Sequence, residues 1–177
     1  MTTDTISQAI QRVRAVLMRR PQRAMHADDA AVARWEQDLR VVCHHENGTR
    51  IATDLPIELG GRGDRVTPGW LLRAGLASCL ATRIAMAAAA DGIALTRLEV
   101  QATSTSDVRG ILGITGDLGE PVSAEPREVR LQVRIGAPGV PRERVQALVD
   151  ESQRCSPVSA ALGNAVPVVL QIELDPS

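Results

Sequence analysis

Three cysteines carry most of the chemistry open to this chain. Cys79 stands inside a long run of Leu, Ala and Met, and Arg83 follows it by four residues, one turn further along the same face of a helix. A guanidinium beside a thiol favours the thiolate, which is the nucleophilic form. Cys155 precedes Ser156 and Pro157, a pair that reads as the cap and first residue of a new helical turn. The second thiol is therefore expected just outside a helix N-terminus, where the positive end of the dipole also favours thiolate. Taken alone, Cys79 in so Ala-rich a helix would pass for a small buried hydrophobe; the second cysteine turns the reading toward redox chemistry. Cys43, His44 and His45 invite a metal reading, since thiolate and imidazole both bind zinc. On a strand, however, Cys43 and His45 share a face and His44 points the other way. Two ligands are too few for a closed site, so no metal is expected.

The element that must position Cys79 runs from Arg65 to Gly92. Thr67 can cap its start, Pro68 suits the first helical position, and Gly92 can close its end. Small residues at Ala74, Gly75, Ala77, Ser78, Ala81, Ala85 and Ala87 to Ala90 predict a central helix that other backbone approaches from all sides. Before it, Ile6, Ile10, Val13 and Leu17 draw one apolar stripe on a first helix that Pro21 ends, a helix suited to pack on its own domain or on a second subunit. Leu39 to Cys43 and Thr49 to Thr53 flank Asn47-Gly48 and predict a hairpin. A glycine-rich loop from Asp54 to Asp64 then leads to the central helix. After that helix, residues 95–105 and 127–135 alternate as strands, with a long loop at 106–125 between them. Pro141 opens a helix through about Gln153, and Val166 to Leu174 reads as a final strand. Residues 1–35 are expected to form an N-terminal helix and linker, and residues 36–177 one domain.

Composition narrows the function classes. The 177 residues carry 20 basic against 21 acidic side chains, without charge blocks, which speaks against nucleic-acid or anionic-membrane partners. With no Phe or Tyr and two Trp, the chain lacks base-stacking platforms and must build an aliphatic core. Its first twenty residues hold no run of signal-peptide type, and a cytoplasmic protein is expected. In that compartment an odd number of cysteines points to redox or catalytic use before structural disulfides. The glycines between Gly110 and Gly119 precede no Gly-Lys-Ser/Thr sequence, and no cofactor is expected.

The segment from Pro68 through Leu71-Leu72-Arg-Ala-Gly-Leu-Ala-Ser-Cys79, together with Cys155-Ser-Pro-Val-Ser159 and the loop Glu58-Leu-Gly-Gly61, resembles the OsmC/Ohr family of hydroperoxide-reducing proteins, over roughly residues 36–174. The resemblance implies an α+β fold, with curved antiparallel sheets wrapped around two central helices and completed as an intertwined homodimer. It implies a thiol-dependent peroxidase in which Cys79 attacks an organic hydroperoxide, the resulting sulfenic acid condenses with Cys155, and a dithiol from a lipoyl or thioredoxin-like protein resets the pair. In one respect the chain departs from the family. The glutamate usual directly after the proline matching Pro68, or one position further, is replaced here by Gly69 and Trp70. Glu58 or Asp64 could substitute, and Arg83, Arg50, Arg62 or Arg65 could serve the thiolate. Without the glutamate, the same scaffold would also suit a non-catalytic small-ligand-binding or redox-sensing protein.

Overall fold

The computed structural model describes residues 3–175, arranged as five helices and five strands in two antiparallel sheets. Helix α1 spans Thr3–Arg19. It turns Ile6, Ile10 and Leu17 partly inward, while Val13 of the same stripe stays largely exposed. Strands β1 (Val32–Gln37), β2 (Arg40–His44) and β3 (Arg50–Thr53) form a meander in that order. The β2–β3 turn is the expected one: Gly48 takes φ 89°, and the Asn47 side chain accepts from the Thr49 N–H at 2.9 Å. Strand β1 was not expected. Its sequence, VARWEQ, mixes strand formers with Ala, Glu and Gln, and it starts before the expected boundary at residue 36.

Helix α2 spans Pro68–Ala90, with the Thr67 hydroxyl accepting from the Trp70 N–H at 3.1 Å and Pro68 in the first turn. Leu76, Leu80, Ile84 and Ala88 recur every four residues and are buried on one face. Gly75, Ser78, Thr82 and Ala85 lie exposed on the other, so the helix is central without being covered on every side. By length and composition alone, α2 would suffice to cross a membrane.

Strands β4 (Arg97–Thr105) and β5 (Arg127–Gly136) pair in the register Leu98 to Ile135, Val100 to Val133 and Ala102 to Leu131. This alternation turns Leu98, Val100, Leu131, Val133 and Ile135 onto a core formed by Leu80, Ile84, Ala88 and Leu148. The long loop between the strands contains a single helical turn, α3 (Val108–Ile111). Leu148 comes from α4 (Arg142–Arg154), and α5 (Pro157–Asn164) follows after a two-residue break. The final strand expected at 166–174 does not form. Val168, Leu170, Ile172 and Leu174 are all at least 72% exposed, and the segment takes part in no ladder. A β-prone sequence becomes a strand only where another edge accepts its backbone groups.

Candidate active site

Cys79 lies near the middle of α2, half-buried, on the flank against which α5 packs. Its sulfur faces a hydroxyl: Ser156 Oγ donates to Cys79 Sγ at 3.2 Å, and Ser159 Oγ donates to Ser156 Oγ at 3.1 Å. Ser156 is fully buried. It occupies the N-cap position of α5, as the Ser-Pro pair suggests, yet its side chain makes no capping bond. A serine in that position ordinarily satisfies a backbone N–H of the first turn; here its hydroxyl is directed to sulfur. The sequence signal for this arrangement is the pair Ser156 and Ser159, one turn apart beside Cys155; a Ser-Pro step alone indicates only a cap.

Cys155 closes α4 as its C-cap, its N–H bonded to Glu151 O at 3.1 Å, and its side chain is exposed. Both cysteines are free thiols. Cys43 sits half-buried in β2, and the exposed His45 uses Nδ1 to accept from the Asn47 N–H at 3.2 Å.

The candidate thiolate partners are distributed elsewhere. Arg50 reaches Glu36 at 3.4 Å and Arg62 reaches Asp38 at 3.0 Å, both at exposed positions. Arg65 donates to the Asp64 carbonyl at 2.8 Å, and Glu58 is exposed in a short 3-10 turn. Asp64, a candidate substitute for the missing glutamate, pairs instead with Arg40. Arg73, the other arginine of α2, is half-buried and donates to Ser104 Oγ at 3.3 Å. Arg83 runs along α2 toward Met86 Sδ, 4.0 Å from its Nη1, and its buried Nε has no hydrogen-bond partner among the described residues. Arg83 also lines a cavity of about 580 Å3 with Ile10, Val13, Arg14, Met86 and Arg144, between α1, α2 and α4.

Arg40 and Asp54, neither of them singled out in the sequence, organise the loop that leads into α2. Asp54 is 2% exposed and takes Arg40 Nη2 at 2.9 Å, the Leu55 N–H at 2.8 Å and the Arg62 N–H at 3.3 Å. The Arg40 hydrogen bond holds the Asp54 carboxyl below its ordinary value, and the same bond raises Arg40. Gly61 packs so closely against this hub that a Cβ there would lie 1.9 Å from Leu55 O and 2.7 Å from Asp54 Oδ1. The chain then rejoins the sheet, where the Asp54 N–H donates to Val66 O at 3.0 Å, and α2 begins two residues later.

A family model described as OsmC-like protein matches residues 61–171. The organic hydroperoxide resistance protein of Xanthomonas axonopodis pv. citri is 31% identical over 118 residues, 66% of this chain and 74% of the relative. An OsmC-like protein from Mycoplasma pneumoniae superposes with a TM-score of 0.65 at 18% identity, covering 79% of this chain and 90% of its own. An organic hydroperoxide resistance protein OsmC from Legionella pneumophila gives 0.56 at 19%, covering 79% and 92%. The long central helix flanked by antiparallel sheets thus has its counterpart in a known fold, and the chain belongs to the OsmC family.

Proposed function

We propose that this chain reduces organic hydroperoxides with Cys79 as nucleophile, in a cycle reset by thiols. The supporting observation is a half-buried sulfur with a buried hydroxyl donor 3.2 Å away, in a chain related to organic hydroperoxide resistance proteins. The Cys79 thiolate attacks one oxygen of the O–O bond and becomes a sulfenic acid. The other oxygen leaves as alkoxide and takes a proton to give the alcohol. The aliphatic surroundings on α2 suit an organic peroxide better than a highly hydrated one. The family resemblance implies that Cys155 then condenses with the sulfenic acid, with loss of water, and that a lipoyl or thioredoxin-like dithiol reopens the disulfide. The cycle proposed here requires only a thiol reductant, since Cys155 is exposed and Ser156 faces the sulfur.

Because β1 pairs with β2 from Val32, the reading moves the start of the domain from the expected residue 36 to residue 32. It takes residues 32–177 as one cytoplasmic domain, with residues 1–31 as an appended helix and linker, and pairs two copies. The homodimer is supported by the exposed small-residue face of α2 and by the unpaired apolar tail at 166–174. A second reading, ligand binding without turnover, draws on the cavity beside α1, where apolar walls meet Arg14, Arg83, Glu151 and the Arg144–Asp91 pair.

Steady-state consumption of cumene hydroperoxide by the reduced protein with dithiothreitol separates the two readings. Turnover in the wild type and its loss in Cys79→Ser are expected; turnover surviving in Cys79→Ser would overturn the proposal.

A further inference from the structure

The residue facing Cys79 is Ser156, and the neighbouring thiol is turned to solvent. We infer that Ser156, steadied by Ser159, holds the Cys79 sulfur, and that the sulfenic acid formed there is resolved by a small thiol from outside the chain instead of by Cys155. The inference rests on the hydroperoxide reading above and names the co-substrate of its second half.

Two observations support it independently. The first is backbone geometry. The Cys155 N–H is bonded to Glu151 O and the Ser156 N–H to Gln153 O, each at 3.1 Å, and Pro157 fixes the next φ. Ser156 points inward from this junction with no exposed surface, while the adjacent Cys155 points outward. A disulfide requires sulfurs about 2 Å apart on closely opposed Cα atoms. Bringing Cys155 to Cys79 would therefore displace a buried hydroxyl and undo the last turn of α4. The second observation is the missing cap. Ser156 gives up the capping bond its position offers, and its hydroxyl donates to Cys79 instead, with Ser159 donating to it in turn. A hydroxyl donor is suited to hold a sulfur that becomes anionic as it attacks. Arg83, the nearest cation along the helix, is directed toward Met86.

The chemistry closes without a second cysteine. Cys79 loses two electrons to the peroxide and gains the hydroxyl oxygen. An external thiolate then attacks the sulfenic sulfur, hydroxide leaves as water, and a mixed disulfide forms. A second external thiolate attacks the outer sulfur of that disulfide, which releases the Cys79 thiolate and the oxidised small disulfide.

The test treats reduced full-length protein with one equivalent of cumene hydroperoxide and maps the cysteines by mass spectrometry, with and without 2-mercaptoethanol. A dimedone-trappable sulfenic acid at Cys79 is expected without the thiol, and a 2-mercaptoethanol adduct at Cys79 with it. Turnover with 2-mercaptoethanol should persist in Cys155→Ser. Ser156→Ala should slow Cys79 oxidation roughly tenfold to a hundredfold, as expected for losing a hydrogen bond to a charged acceptor. Ser159→Ala should slow it less, with recovery in Ser159→Thr. Ser156→Cys provides a geometric readout that needs no peroxide: diamide should join the introduced thiol to Cys79. A Cys79–Cys155 disulfide in the wild type, or loss of turnover in Cys155→Ser, would overturn this inference alone. A Cys79 that stays reduced in every variant would remove the hydroperoxide reading and the inference together.

Discussion

Two polar clusters of this chain follow opposite rules. Around Asp54 every strong group is matched: a buried carboxylate meets a guanidinium and two backbone N–H groups, and Asp64 takes the remaining reach of Arg40. Around Cys79 the groups are small, a thiol and two hydroxyls, and the nearest arginine along the helix has a buried nitrogen without a hydrogen-bond partner among the described residues. A saturated cluster fixes a loop and leaves nothing over for a substrate. A sparser one that aims its donor at a sulfur holds that donor where charge appears during a reaction. On the proposed function, the first cluster serves the fold and the second the chemistry.

That division can be broken from either side. The largest effect is expected at Cys79: Cys79→Ser should remove hydroperoxide consumption entirely while leaving the thermal midpoint near that of the wild type, measured by peroxide assay and calorimetry. The core beside it should respond in the reverse sense. Ile84 is completely buried on the same helix, and Ile84→Ala should cost about 2–5 kcal/mol in denaturant unfolding.

The saturated cluster should show its character in pH dependence. Because the folded Asp54 carboxyl titrates below its ordinary 3.8, its stabilisation is present above that value and is lost as pH falls through the depressed folded value. Asp54→Asn should therefore be less stable than the wild type at neutral pH, and the gap should narrow below about pH 4, read from unfolding curves at several pH values. The smallest effect belongs to the cap between the two regions: Thr67→Ala should cost about 1 kcal/mol and leave the Cys79 chemistry in place.

Local signals were legible in the sequence where one rule decided the outcome. Thr67-Pro68 marked the start of α2, Asn47-Gly48 marked the β2–β3 turn, and alternation marked β5, although Val129, in phase with the partly buried Leu131 and Val133, stays 41% exposed. Long-range pairing was not legible. Arg40 and Asp54 are fourteen residues apart on two different segments, and no periodicity announces that they meet. The segment at 166–174 shows the converse: its composition suits a strand, but strand formation depends on an edge that the composition does not report. Within the site, the position of Cys79 followed from its helix. The inward turn of Ser156 and outward turn of Cys155 depend on how α4 stops and α5 begins, which a Ser-Pro pair announces without giving its direction.

The most direct measurement is a single turnover: fully reduced protein mixed with one equivalent of cumene hydroperoxide, with the alcohol product quantified and the protein's cysteines mapped. The account predicts one equivalent of alcohol and oxidation that begins at Cys79. Peroxide left intact, with Cys79 still reduced, would contradict it.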